Sequence, residues 1–275
     1  MLNIKSAQID RPLNLPWLPC FVLALLLLVS AMLARGESPA PRAYEGGFAQ
    51  VAKISGELHH ALDVKKRQLV SATPKLLVGA ASPCIAPLAG DASAGTVGLS
   101  AGWLDLINRL AHARALEESA GGYFARYVQH LAPDGSAMEP VGESIPPDQA
   151  WSFDTMNHQV SLFNQMIGAL VAIEMAHHYL GHFQKHPATG TDAGIPGPFA
   201  VCVSEREWRD AVMKGARNAL DCGLGVDGFR ALLTAVEKVP GRPKWTAYLV
   251  HPKADTGKLS RDLEKLEKDF FLVEK

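Results

Sequence analysis

I-E-M-A-H-H-Y-L-G-H, residues 173–182, decides how this chain is read. On a helix, His-Glu-x-x-His sets two imidazoles one turn apart on a zinc ion, with a glutamate between them to activate water. Here Glu174 stands at the place of the base and His177 at that of the second ligand. The first ligand position holds Ile173, whose side chain binds no metal. A helix turns about 100° per residue, so from Glu174 the side chain of His177 lies about 60° to one side. His178 and His182 lie about 40° and 80° to the other. His178 and His182 therefore form a second one-turn pair, and Glu174, His178 and His182 line one ridge that can bind zinc. A histidine in an apolar helix is otherwise a packing or capping residue. Four histidines (177, 178, 182, 186) beside a glutamate in an apolar run ask for more, because a buried carboxylate needs a metal, a histidine or an arginine.

Around this stretch the pattern predicts one long helix over 153–185, capped by Ser152 or Asp154 and closed by Pro187 and Gly190. Its middle, M-I-G-A-L-V-A-I-E-M-A, is apolar nearly all round, which places it inside a domain. A second membrane span is the weaker reading, since Glu174 interrupts the run. Before it, Val51, Ile54, Leu58 and Leu62 make one helix face, and K-K-R at 65–67 a solvated side. Residues 75–80 and 96–100 read as strands, and 82–94 as a Pro/Gly/Ala-rich loop. A helix starts near Trp103, breaks at Gly121-Gly122 and resumes over 123–131; 133–149 read as an exposed loop. After it come a Gly/Pro-rich loop (186–200), helices over 204–220 and 228–239, an extended segment at 245–250, and a charged amphipathic helix, L-S-R-D-L-E-K-L-E-K-D-F.

The chain has 275 residues and a formal net charge of −1, which gives no reason to expect nucleic acid as a partner. Residues 1–36 stand apart from the fold. Lys5 and Arg11 precede an uncharged stretch, Pro12 to Ala34, that contains F-V-L-A-L-L-L-L-V. This is a signal peptide or an N-terminal membrane anchor: Ala34-Arg35-Gly36 favours cleavage, and the long polar lead favours an anchor. Either way the remainder is exported, periplasmic or anchored to the inner membrane, with membrane contact through the N-terminal segment if it is uncleaved. Cys84, Cys202 and Cys222 lie in the exported part. A bond from Cys84, in its loop, to Cys202 or Cys222 is expected over one spanning the 204–220 helix. No G-x-S-x-G, C-x-x-C or nucleophilic cysteine context occurs.

From about residue 96 onward the chain resembles the HtpX-like and CAAX-prenyl-protease-like zinc metallopeptidases. Four blocks carry the resemblance in order. T-V-G-L-S-A-G-W-L-D-L-I (96–107) is similar to the family's edge strand and first helix, and A-I-E-M-A-H-H-Y-L-G-H (172–182) to its zinc helix. S-E-R-E-W-R-D-A (204–211) with G-V-D-G-F-R-A-L-L-T-A-V-E-K (225–238) resembles the E-x-x-x-D block and the helix after it. L-V-H-P-K-A-D-T-G-K-L-S-R-D-L-E-K-L (249–266) resembles the closing His-Pro segment. The resemblance implies Glu174 as general base, His177 as a zinc ligand, Asp210 as support for a ligand histidine, and His251 folded back on the cleft. Two ligand positions depart: Ile173 replaces a histidine, and Arg206 replaces the ligand glutamate, with Glu205 and Glu207 on either side.

The expectation is a mainly α (α+β), zincin-like metallopeptidase domain with a small edge sheet. Its parts are the leader (1–36), an N-terminal helix and linker region (37–95) and the zincin-like domain (96–275). Its peptidase activity is weakened or lost, and it holds a peptide or protein partner in the old cleft or on its edge strand. One alternative is an active zinc metallopeptidase with Glu174 as base and ligands recruited from His177, His178, His182 and Glu207. The other is a non-enzymatic exported structural or binding protein.

Overall fold

The structure, a computed structural model, describes residues 46–77, 82–90, 94–136, 140–186, 191–192 and 195–273. The leader and any cleavage site lie outside the described residues. In chain order the main elements are α1 (Gly47–Ala61), α2 (Val64–Arg67), β1 (Lys75–Leu77), β2 (Ile85–Leu88), β3 (Thr96–Ser100), α3 (Ala101–Ala115), α4 (Tyr123–Gln129) and α5 (Pro147–Ala150). Then follow α6 (Phe153–Tyr179), α7 (His182–Lys185), the two-residue strands β4 (Thr191–Asp192) and β5 (Ile195–Pro196), α8 (Glu205–Asp221), α9 (Asp227–Lys238) and α10 (Thr256–Val273). The molecule is mainly helical with a small mixed sheet.

Helix α6 is the axis of this arrangement. Ser152 starts it, its hydroxyl accepting from the Thr155 amide at 3.1 Å. Every residue from 166 to 178 is buried, as an apolar run without a polar face requires. Helices α3, α8, α9 and α1 all pack on it. Each large aliphatic side chain it buries contributes about 1.5–3 kcal/mol, and it buries more apolar side chains than any other described element. It is also the described helix long and apolar enough to cross a bilayer, yet 78% of its most apolar window is buried in protein. The predicted helix over 153–185 is shorter than expected: it ends at Tyr179, and Gly181 takes φ 76° before the separate turn α7. A glycine just past a helix end adopts this left-handed geometry without strain, so the stop lies before Pro187 and Gly190.

The sheet has the order β1-β3-β2, with β1 parallel and β2 antiparallel to β3. Its strands β1 and β2 precede residue 96 and pair with β3 after it, so the sheet joins both parts of the chain. Every residue of β3 is buried. At its end Ser100 does three things: it accepts from the Trp103 amide to cap α3, accepts from the Cys84 amide, and donates to the Ser82 carbonyl. Residues 82–94 are thus not all loop. Ile85 to Leu88 pair with β3 as an edge strand, where Pro87 is tolerated. This also places Cys84 in the core rather than on a flexible loop, and no disulfide joins the described cysteines. The segment at 245–250 is not extended; Lys244–Tyr248 is a 3-10 turn that buries Trp245.

Helices α6 and α8 meet without a side chain between them. A Cβ at Gly215 would sit 2.7 Å from the Ile173 backbone nitrogen and 2.9 Å from its Cα. Backbone cannot yield as a flexible side chain does. Gly215→Ala should therefore destabilise by about 1–3 kcal/mol, although alanine is the better helix former by about 1 kcal/mol. Urea denaturation measures this. An alanine variant as stable as the parent would show that the helices separate freely.

Candidate functional site

The last turn of α6 carries Glu174, His177 and His178, and all three are buried. Glu174 is 6% exposed, and its Oε2 has no hydrogen-bond partner among the described residues. Burial alone pushes its carboxyl well above the ordinary 4.5, because desolvation disfavours the charged form.

His177 faces away from the sheet. Its Nδ1 lies 3.1 Å from Nδ1 of His182, so one ring donates a proton to the other. The edge of the His177 ring meets Phe199 at 4.8 Å between centroids. Burial first, then the neighbouring His182 and His178, lower its pKa to about 3. His178 points to the other side. Its Nε2 donates to the Thr96 carbonyl at 2.9 Å, its ring meets Phe183, and a Cβ on Gly95 would fall 2.0 Å from its Nδ1. Backbone of the β3 approach thus lies directly on this imidazole. The expected ridge of Glu174, His178 and His182 does not form. The break at Gly181 swings His182 round to His177, and His178 is committed to the sheet.

Glu207 is the N3 residue of α8. Its carboxylate accepts from the Ser204 amide and hydroxyl in a capping box, from Lys185 Nζ at 2.5 Å, and stands 3.4 Å from His186 Nε2. Lys185, then Ser204, hold its pKa far below the usual carboxylate range. Asp210 and the exposed Arg206 line a hollow of about 420 Å³ with His182, Glu207, Arg209 and Met213. The charges of Glu207 and Asp210 face His182, but burial still keeps its pKa below the ordinary value. Ile173 is 4% exposed, its backbone pressed by Gly215. His251 is buried beside Trp208, with ring centroids 6.3 Å apart, and its Nδ1 accepts from the Lys253 amide. Its neighbours are the start of α8, and no hydrogen bond or ring contact joins it to Glu174.

These residues do not compose a zinc centre. The structure brings together His177 and His182 but not His178. The nearest carboxylate, Glu207, is spent on a helix cap and a lysine, and Arg206 adds a cation to the same hollow. Among the described residues no three His, Cys, Asp or Glu side chains are grouped to hold a metal ion. A catalytic zinc needs three protein ligands and an open place for water.

A second concavity lies beyond Phe199. A cavity of about 790 Å³ has walls of Pro83, Pro133, Ile195, Pro198, Trp245 and Tyr248, with Asp134, Arg242 and Lys244 also lining it. The Tyr248 hydroxyl donates to the Pro196 carbonyl at 2.8 Å and fixes the wall at β5. This site joins segments around 83, 134, 197 and 245, so no local motif announced it.

The histidines set the response to acid. His112, His177, His178, His182 and His251 all have pKa values below the ordinary 6.5, burial being the first cause in each. A lowered folded pKa means that the unfolded chain takes up the proton first. Stability is therefore full above pH 6.5 and drains away as pH falls, for His177 down to about 3. Glu174 acts in the opposite sense. Tm should drop by roughly 5–10 °C between pH 7 and pH 5, and less in His177→Gln. A flat calorimetric profile across that range would show the rings to be hydrated.

Compared with models of known families, with curated proteins and with solved structures, the chain matches none of them.

Proposed function

We propose that this chain is a zincin-like domain whose hydrolase centre has become packing, and that it works outside the cytoplasm by holding a peptide or protein partner. One observation carries the proposal: Glu174, the candidate base of the zinc helix, is buried with an orphaned oxygen, beside a metal position filled by Ile173. A base must reach water and hold a charge, and the burial of Glu174 works against both. The cavity at Trp245 and Tyr248 supports the binding half. Its apolar walls and few polar groups fit the general make-up of ligand pockets, which span about 300–1,000 Å³.

Glu174→Gln separates this function from catalysis. A catalytic glutamate is lost with its activity, whereas a buried acid with no partner is better replaced by an uncharged amide. The sign follows from the raised pKa. The folded state holds the proton longer, so stability present below pH 4.5 is lost as pH rises through the folded value. The glutamine variant should thus be more stable at pH 7.5, on the order of 1–3 kcal/mol, and gain nothing at pH 4. A loss of stability at pH 7.5 would count against the proposal.

Elemental analysis supplies the second test. The purified protein should carry well under one zinc per chain, and chelation should leave Tm unchanged. One tightly bound zinc per chain that disappears in His177→Ala or His182→Ala would install the rearranged-ligand hydrolase instead.

A further inference from the structure

We propose that the cavity beside Trp245 and Tyr248 takes an extended apolar peptide segment flanked by acidic side chains, with Arg242 and Lys244 selecting the acid. This rests on the peptide-binding function proposed above and names the class of peptide. The walls are rich in proline. Prolines at 83, 133, 198 and 243 line the cavity, and Trp245 is 2% exposed. A preformed apolar groove loses little freedom when an extended chain enters it.

The charge at the cavity is asymmetric. Arg242 and Lys244 are exposed, and neither makes an ion pair among the described residues. One guanidinium nitrogen of Arg242 reaches the Pro252 carbonyl at 3.4 Å, a neutral and long contact. The single carboxylate, Asp134, already accepts from the Ser136 amide at 2.8 Å and its hydroxyl at 2.6 Å. The lining therefore carries two cations and one carboxylate, Asp134, which its Ser136 bonds keep ionised, so the balance at the cavity is one positive charge in excess. Arg242 is also the one described non-glycine residue with positive φ, at 45°. Glycine would sit there without strain, and an arginine held there keeps a guanidinium at the rim at a cost in backbone energy. A basic-flanked segment meets repulsion at the same rim, so selection works in both directions.

Fluorescence anisotropy with the full-length protein tests this. The probes are three pools of short labelled peptides with a random core of Leu, Ile, Val, Phe and Pro, flanked by Glu, by Gln or by Lys. The Glu-flanked pool should bind about tenfold more tightly than the Gln-flanked pool, with the Lys-flanked pool weakest. The preference should shrink as salt is raised. A polyglutamate peptide without an apolar core should not compete. In Arg242→Gly with Lys244→Gln, substitutions at exposed positions, the Glu and Gln pools should bind alike. Equal binding of all three pools by the unmodified protein overturns the acidic selection and leaves the peptide groove. A Glu preference that survives the double substitution also overturns it, because the acid is then read elsewhere. If no pool binds, both the selection and the peptide-binding function fall.

Discussion

The direct backbone contact of α8 on α6 at Gly215 and Ile173 governs what the rest of the molecule can be. Two helices brought that close share a core with no room for polar chemistry between them. Position 173 thus serves the interior, and the apolar Ile173 suits it. From that contact the burial of residues 166–178 follows, and so does the fate of Glu174. The carboxyl sits one residue past a crossing point and is almost wholly buried.

The histidines then look less like the remains of a catalytic set than like joints. His178 ties the end of α6 to β3 through one hydrogen bond. His177 and His182 hold the turn after Gly181 against the helix, with Phe199 and Phe183 closing the group into a stack of rings. Phe199 follows Pro198, a wall of the apolar cavity, so the ring stack and the cavity are neighbours in the chain. The proposed division of labour places binding at Trp245 and Tyr248 and rigidity at the end of α6.

Much of this architecture is legible in the sequence because strong local signals and the core agree. The helix face of Val51, Ile54 and Leu58, the strand Thr96–Ser100 and the helix behind Ser204 all fall where pattern and caps put them. The failures have physical causes. Strand β2 is short and holds a proline, so only its pairing with β3 reveals it. Gly181 is a sufficient stop signal for α6, and an ideal helical wheel extended to Pro187 runs through that break. Every angular relation to His182 then fails, including the ridge with His178. Trp245 turns inward on a 3-10 turn, whereas its neighbours alone suggest an extended run. The cavity is invisible to any reading along the chain because its walls converge only in the fold.

Pro87 has a consequence for how copies of this protein meet one another. It lies on the outer strand of the sheet and brings no amide hydrogen to that rim. A neighbouring chain that tried to continue the sheet there would find a gap in the ladder of donors. Growth of the sheet by stacking one molecule on the next is therefore interrupted on the β2 side, while the opposite rim begins with the charged Lys75. Self-association through an exposed strand is a common failure of sheet proteins, and on the β2 side this sheet is closed to it.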